Sequence, residues 1–306
     1  MIVVCGSINM DLVARAPRLP KPGETITGRA FFTASGGKGA NQAVACARLG
    51  APTRLIGRVG DDVFGGTLLN NLCGYGVDVS GVTIERGQSS GIAMIAVDDA
   101  AENTIIIVPG ANGVIGQADV TRLEAMIDRA RVLLLQLEIP MDAVIAAARL
   151  ARERGVTVIL DPAPARPLPD ELYMLVDVLT PNETEASALV GFALREENEV
   201  RRAGRVLLGR GARRVVIKLG SRGAYWSDGK AEQFAPAFRV EPVDTVAAGD
   251  AFNGALAVAL AEELPFAEAI RWGLAAGALA VTKAGAQPSM PTRAEVEGMV
   301  RRDAAA

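Results

Sequence analysis

VDTVAAGDAFNGAL, residues 243–256, is composed like the mouth of an anion-binding helix. A β-branched run at 238–243 leads into Asp244-Thr245, two alanines and a glycine follow, and Asp250 stands where a helix opens. Small residues let the backbone N–H groups of Ala247, Ala248 and Gly249 approach an anion closely, and the helix N-terminus adds partial positive charge. Asp250 is then placed to accept a proton from an attacking hydroxyl while those amides hold the charge on a transferring group. An ordinary helix start with an acidic cap has the same letters, so support has to come from the rest of the chain.

Composition narrows the field. The 306 residues, 50% of them hydrophobic, suit one large α/β domain with a sizeable core, or two small ones. Thirty-two Lys and Arg against 35 Asp and Glu give a charge of −3, so no basic field points to nucleic acid or anionic lipid. Cys5, Cys46 and Cys73 lie far apart in apolar surroundings and read as buried small side chains, not as a disulfide framework or zinc site. With no histidine, Ser-His-Asp and Cys-His triads are excluded. Acid–base work falls to carboxylates or lysine. The N-terminus enters a strand at once without a signal-peptide pattern, and no apolar run nears the roughly 18 residues of a membrane span, so a soluble cytoplasmic protein is expected.

Apolar runs at 2–5, 53–59, 132–137, 156–160, 178–179 and 215–219 lack alternation, as strands covered on both faces do. Helical patterns fall between them at 62–75, 117–129, 141–154, 182–190 and 200–208, with three more after residue 248. The expected architecture is a three-layer α/β/α, doubly wound, mainly parallel sheet. Segments 12–16, 25–31, 92–97 and 103–108 have no helices after them, the last two pairing across DDAAE. They predict a small β-sheet lid formed by residues 12–34 and 91–109 on a single domain. Asn9 and Asp11 fall on the loop after the first strand, where open α/β sheets place ligands. Gly36-Gly37-Lys38-Gly39-Ala40-Asn41 precedes a helix at 42–49 and is neither GxGxxG nor a P-loop. Glu138, Asp161, Asn182 with Glu185, and Gly220-Ser221-Arg222-Gly223 each follow a predicted strand.

Beyond those placements, whole blocks of sequence match a known pattern. GSINMD (6–11), GGKGANQAV (36–44), QLE (136–138), DPAPAR (161–166), TPNETEA (180–186), KLGSRG (218–223), DTVAAGDAFNGAL (244–256) and GAQPSMP (285–291) occur in the order found in the ribokinase-like (PfkB) family of sugar and nucleoside kinases, and span nearly the full chain. The chain resembles that family's ATP-dependent kinases acting on O5 of D-ribose. The resemblance implies ATP, Mg²⁺ and a monovalent cation, K⁺, as cofactors. It implies a sugar pocket of Asn9, Met10, Asp11, Gly37, Lys38, Gly39, Ala40, Asn41 and Glu138, with Asp250 as base and Ala247, Ala248 and Gly249 completing the anion hole. Nucleotide contacts would come from Asn182, Glu185, Lys218, Leu219, Gly220, Ser221, Arg222, Gly223, Gly249, Asp250 and Leu274, with Glu185 meeting Mg²⁺ through water. The K⁺ site would use Asp244, Val246, Ala280, Lys283, Gly285 and Ser289, mostly by backbone carbonyls.

Three positions depart from the family pattern: Leu274 where Asn or His is common, Lys218 where relatives often have threonine, and Ala251 where many have it too. Leu274 offers an adenine ring packing without a hydrogen bond. The nearest rivals are same-fold kinases for 2-deoxyribose, another sugar or a nucleoside, and a catalytically silent sugar-binding regulator. A nucleoside pocket wants an aromatic platform, and aromatics are 4% of the chain. Ile26, Phe31, Ile92, Met94 and Ile105 to Ile107 give the lid more apolar surface than it can hide alone, so a homodimer joined lid to lid is expected.

Overall fold

The computed structural model describes residues 1–100 and 102–304. Among those residues thirteen strands and ten α-helices follow one another. In order they are β1 (Ile2–Cys5), β2 (Asn9–Arg15), β3 (Ala30–Gly36), α1 (Lys38–Arg48), β4 (Thr53–Gly60), α2 (Gly65–Gly74), β5 (Asp78–Glu85), β6 (Gly91–Val97), β7 (Asn103–Val108), α3 (Gln117–Glu124) and β8 (Val132–Leu135). Next come α4 (Met141–Glu153), β9 (Thr157–Leu160), α5 (Asp170–Leu175), β10 (Val178–Leu179), α6 (Glu183–Val190), α7 (Glu197–Gly209), β11 (Arg214–Lys218), β12 (Ala224–Ser227), β13 (Glu232–Ala235), α8 (Ala248–Ala261), α9 (Phe266–Ala280) and α10 (Arg293–Ala304).

The main sheet has nine strands in the order β13-β12-β11-β10-β9-β8-β1-β4-β5. Pairing is parallel from β5 to β11 and antiparallel only at the β11-β12-β13 edge. Its central strands IVVC, VLLL and TVIL are apolar without alternation because helices cover both faces. One core packs α1, α2, α8, α9 and α10 against the sheet, and a second packs α3 to α7 against the other face. This is the three-layer architecture the sequence predicts.

A second, four-stranded sheet is ordered β3-β2-β6-β7 and holds the segments expected to form a lid. The β6–β7 hairpin pairs Ile92 with Val108 and Val97 with Asn103, as expected from the sequence; Ala101 in its turn lies outside the described residues, as do residues 305–306. The strand expected at 25–31 forms later, over Ala30–Gly36, because Gly36 must reach Asn9 to close the β2–β3 pairing. Asn9 and Asp11 are therefore not in a loop. They open β2, which leaves β1 after only Gly6, Ser7 and Ile8.

Other boundaries shift for local reasons. The helix expected at 42–49 starts at Lys38, since Gly37, at φ 90°, turns the chain sharply enough for Lys38 to begin it. The helix expected from 62 starts at Gly65, because Asp62 Oδ1 accepts from the amides of Phe64 and Gly65 and holds a turn there. The helix expected over 117–129 stops at Glu124 and a 3₁₀ turn covers Ile127–Arg129. Sequence reading missed β5, α5 and the β12–β13 hairpin. Cys5 and Cys46 are buried as expected, but Cys73 is exposed on α2. The run 238–243 forms no strand and instead lines a cleft with Phe238, Arg239, Val240 and Pro242.

Candidate active site

Asp250 sits in the first turn of α8 and is 5% exposed. Helix α8 packs closely on α1: a Cβ on Gly254 would lie 2.4 Å from Ala45 Cβ, and Cys46 Sγ donates to the Gly254 carbonyl at 3.6 Å. That contact brings Asp250 over the first turn of α1. Asn41 Nδ2 donates to Asp250 Oδ2 at 3.0 Å and Gln42 Nε2 to Oδ1 at 3.1 Å. Burial pushes the Asp250 carboxyl up to about 6, opposed by the Lys38 charge and by the two amide donors, while Asp161 adds to the rise. A carboxylate titrating there is mostly ionised at neutral pH and more basic than a solvated one, which suits a proton acceptor.

Ahead of Asp250, Ala247 has φ 58°. A non-glycine residue in the left-handed region is strained by about 1 kcal/mol, and such strain collects at functional sites. It turns the chain so that Ala248 and Gly249 enter α8 beside a cleft of about 960 Å³, which they line together with Lys38, Asn182, Glu185, Lys218 and Leu274. Gly220, Ser221 and Gly223 form part of the same wall. Leu219 and Arg222 do not; they line a separate depression of about 240 Å³, and Arg222 pairs with Glu183.

A second set of polar groups gathers on the lid side of Asp250. The Lys38 amide donates to Glu138 Oε2 at 3.1 Å, and Ser7 Oγ and Asn9 Nδ2 reach the same oxygen. Asn112 Nδ2 donates to Asn9 Oδ1 at 2.7 Å and fixes that amide. Asp11 faces Gly36, where a Cβ would come within 2.4 Å of its Oδ2. Burial, then Glu138 and Asp250, push the Asp11 carboxyl up to about 7. Asn41 Oδ1 is buried without a hydrogen-bond partner among the described residues. Lys38 keeps its charge: burial disfavours it, but Asp250, Asp161, Glu138 and Glu185 raise its proton affinity overall. Gly37 and Gly39 are required by close contacts, with Asn9 N and with Gly6. Met10 and Ala40 point their side chains into the core and can offer only backbone.

The site therefore has two halves joined at Lys38 and Asp250, one polar and small, the other long and lined by glycines, and this is the layout of an enzyme carrying a phosphoryl group from a nucleotide to a hydroxyl. The model of the pfkB family carbohydrate kinases matches residues 1–293. The chain belongs to the pfkB family. A ribokinase of Haemophilus influenzae is 45% identical over 294 residues, 96% of each chain. The structure of an Arabidopsis thaliana ribokinase complexed with ribose and ATP superposes with a TM-score of 0.90 at 36% identity, covering 98% of both chains. A deoxyribokinase of Salmonella typhi is 36% identical over 292 residues, 95% of each chain.

Two sets of groups have the chemistry to be tested against the cations expected from the sequence. Asn182 and Glu185 form a capping box on α6, with Asn182 N and Nδ2 donating to Glu185 and the Glu185 amide donating back to Asn182 Oδ1. Burial and then the neighbouring Asp161 raise the Glu185 carboxyl, and Lys218 opposes them. Among the described residues no cluster of three or more His, Cys, Asp or Glu forms a metal cage. Of the carboxylates that line the cleft, Asp161 is paired with Lys218 and Asp250 is held by Asn41 and Gln42, which leaves Glu185 to suit Mg²⁺, an ion that keeps most of its waters and takes the rest of its ligands from phosphates. In the second set, Asp244 accepts from the amides of Val246, at 3.0 Å, and Gly285, at 2.9 Å, tying the loop before α8 to the loop after α9. Ser289 Oγ donates to the Ala286 carbonyl, and the Lys283 ammonium is turned away to Glu295. Asp244 and Ser289 bring side-chain oxygens to these loops, and oxygen is the ligand type that a monovalent cation takes.

Sequence reasoning missed Gln42 and Gln136. Gln42 Nε2 donates to both Asp250 and Asp161, and Gln136 Nε2 donates to Gln42 Oε1 at 2.6 Å, which fixes which way the Gln42 amide faces. Both look like ordinary members of a helix face and a strand end; only their burial in the fold gives them away.

Proposed function

We propose that this carbohydrate kinase transfers the γ-phosphoryl group of ATP to O5 of D-ribose, giving ribose 5-phosphate and ADP. The observation that carries the reading is Asp250, buried and gripped by Asn41 and Gln42, where the polar pocket meets the long cleft. Ribose would lie against Asn9, Asp11, Lys38, Asn41 and Glu138. Asp250 takes the O5 proton as the new O–P bond forms, and the amides of Ala247, Ala248 and Gly249 face the developing charge on the phosphoryl oxygens. The nucleotide runs from Gly249 past Asn182 and Lys218 to Leu274, where an adenine ring packs without a base-specific hydrogen bond. Mg²⁺, held near Glu185, would neutralise phosphate charge, and K⁺ between Asp244, Val246, Ala280, Lys283, Gly285 and Ser289 would steady the loop that carries the anion hole.

The second reading is 2-deoxyribose, supported by the deoxyribokinase relative. A buried hydrogen-bonding set rejects an analogue that lacks the hydroxyl it was built for. Coupled ADP release with ribose, 2-deoxyribose and adenosine, each with and without K⁺, separates these readings. Ribose should give the highest kcat/KM, and a preference for deoxyribose or adenosine refutes the assignment.

The lid leaves Phe31, Phe32, Met94, Ile105, Ile106 and Ile107 exposed on one small sheet. By strand register Phe31, Met94 and Ile106 lie on one face and Phe32, Ile105 and Ile107 on the face that carries Asp11, and apolar exposure on so small a sheet supports the homodimer joined lid to lid. Use of ATP and three unpaired cysteines suit the cytoplasm, and no helix among the described residues is long and apolar enough to cross a membrane.

A further inference from the structure

Lys218 ends β11, and its ammonium crosses the cleft floor to Asp161, with Nζ 2.9 Å from Oδ1 and side-chain exposures of 13% and 2%. A Cβ added to Gly249 would lie 3.3 Å from that Nζ, so the ammonium stands beside the residue that precedes Asp250, at the amides that open α8. A lysine ammonium has three donors, and Asp161 uses one. Asp161 is itself held: its other oxygen accepts from Gln42 Nε2 at 3.1 Å, and Gln136 sets the orientation of that amide. A buried ion pair is not explained by stability alone, because desolvation cancels most of the attraction and an apolar pair of similar volume serves a fold as well. This pair faces the cleft and touches the anion hole, which a purely structural pair has no need to do.

We infer that Lys218 is a further catalytic residue, its ammonium contacting the transferring phosphoryl group at the mouth of α8, and that Asp161, aligned through Gln42 and Gln136, is the positioning residue that keeps it there. The inference rests on the phosphoryl-transfer reading above. During transfer the bond between phosphorus and the departing ADP oxygen breaks, the bond from phosphorus to the sugar oxygen forms, and the sugar proton passes to Asp250. Lys218 keeps its proton throughout. Charge spreads over the three equatorial oxygens in that loose transition state, and a fixed cation in a water-poor site favours it over the bound substrate.

Lys218→Met, Lys218→Arg, Asp161→Asn and the Lys218→Met/Asp161→Asn double variant test the inference, using steady-state ADP release, thermal unfolding, and ATP and ADP binding by calorimetry. Lys218→Met should lower kcat about 10²-fold or more, the scale of losing one donor to a developing oxyanion, with the sugar KM unchanged. It should also unfold at lower temperature, since it strands a buried Asp161 charge. The double variant should recover the unfolding temperature but not kcat, and Lys218→Arg should recover part of kcat. ATP should bind less tightly to Lys218→Met while ADP affinity holds. Recovery of kcat together with stability in the double variant would make the pair structural and overturn the inference. Equal weakening of ATP and ADP would overturn it as well, and that arm needs no sugar, so it judges Lys218 even if ribose proves to be the wrong acceptor.

Discussion

Replacing Asp250 with asparagine should abolish most catalysis and, at the same time, stabilise the protein in a pH-dependent way. The carboxyl is raised from 3.8 to about 6 by burial, so ionising it costs the folded state about 3 kcal/mol at neutral pH, at about 1.4 kcal/mol per unit. The folded pKa lies above the unfolded one, so the wild type loses this stability as pH rises from about 4 through about 6, and the variant does not. With an unfolding entropy of about 2.1 cal/mol/K per residue over 306 residues, 3 kcal/mol corresponds to a Tm change of about 5 °C. A single asparagine carbonyl can satisfy only one of the Asn41 and Gln42 donors, which offsets part of the gain at every pH but not its pH dependence. Differential scanning calorimetry at pH 4, 5, 6 and 7 should therefore show the variant-minus-wild-type Tm rising by about 5 °C across that window and levelling above it. In the ADP-release assay kcat should fall at least about 10²-fold with little change in sugar KM. Turnover near wild type, or a Tm difference that does not vary between pH 4 and 7, refutes the assignment of a buried base.

The log of kcat/KM for the sugar should fall on the acid side through two groups, Asp11 near 7 and Asp250 near 6, and Asp11→Asn should remove the upper break. Gly254→Ala places a methyl 2.4 Å from Ala45 Cβ, so α8 must move off α1; kcat should drop by about 10²-fold while circular dichroism stays native, and unchanged turnover would separate the helix contact from the positioning of Asp250. Asp244→Ala frees the amides of Val246 and Gly285 and should abolish the response of kcat to K⁺, measured against a tetramethylammonium control. Ile106→Glu introduces a charge in the middle of the exposed lid face and should yield monomers by light scattering at micromolar concentration; a wild type that is already monomeric there argues against the lid dimer.

Layer order and most buried strands were legible because unalternating apolar runs of four to seven residues have few other uses in an α/β chain. What escaped has physical reasons. Strand β5 carries Gly81 and alternating polar residues at the sheet edge, and the β12–β13 hairpin consists of two four-residue strands, too short for a period to show. The run 238–243 has strand-forming letters, yet Pro242 lacks a donor and its neighbours line the cleft instead of a ladder. At the site, Asp250, Glu138 and the glycines were readable because strand ends and small residues mark where ligands approach. Gln42 and Gln136 were not: an amide's role depends on which way it faces, and that is set by contacts 94 and 208 residues away in sequence.

The groups proposed to face the sugar do not all ride on one body. Asn9 and Asp11 belong to the four-stranded sheet, whereas Lys38, Asn41, Glu138 and Asp250 are anchored on the nine-stranded one, and three residues are all that separate β1 from β2. A pentose seated between them is a cross-brace: each hydroxyl it satisfies on one side is leverage against the other, so occupancy and the spacing of the two sheets are a single variable. Any substitution that loosens the tether at Gly6, Ser7 and Ile8 should then read out as weaker sugar binding, even though Gly6 and Ile8 need never touch the sugar.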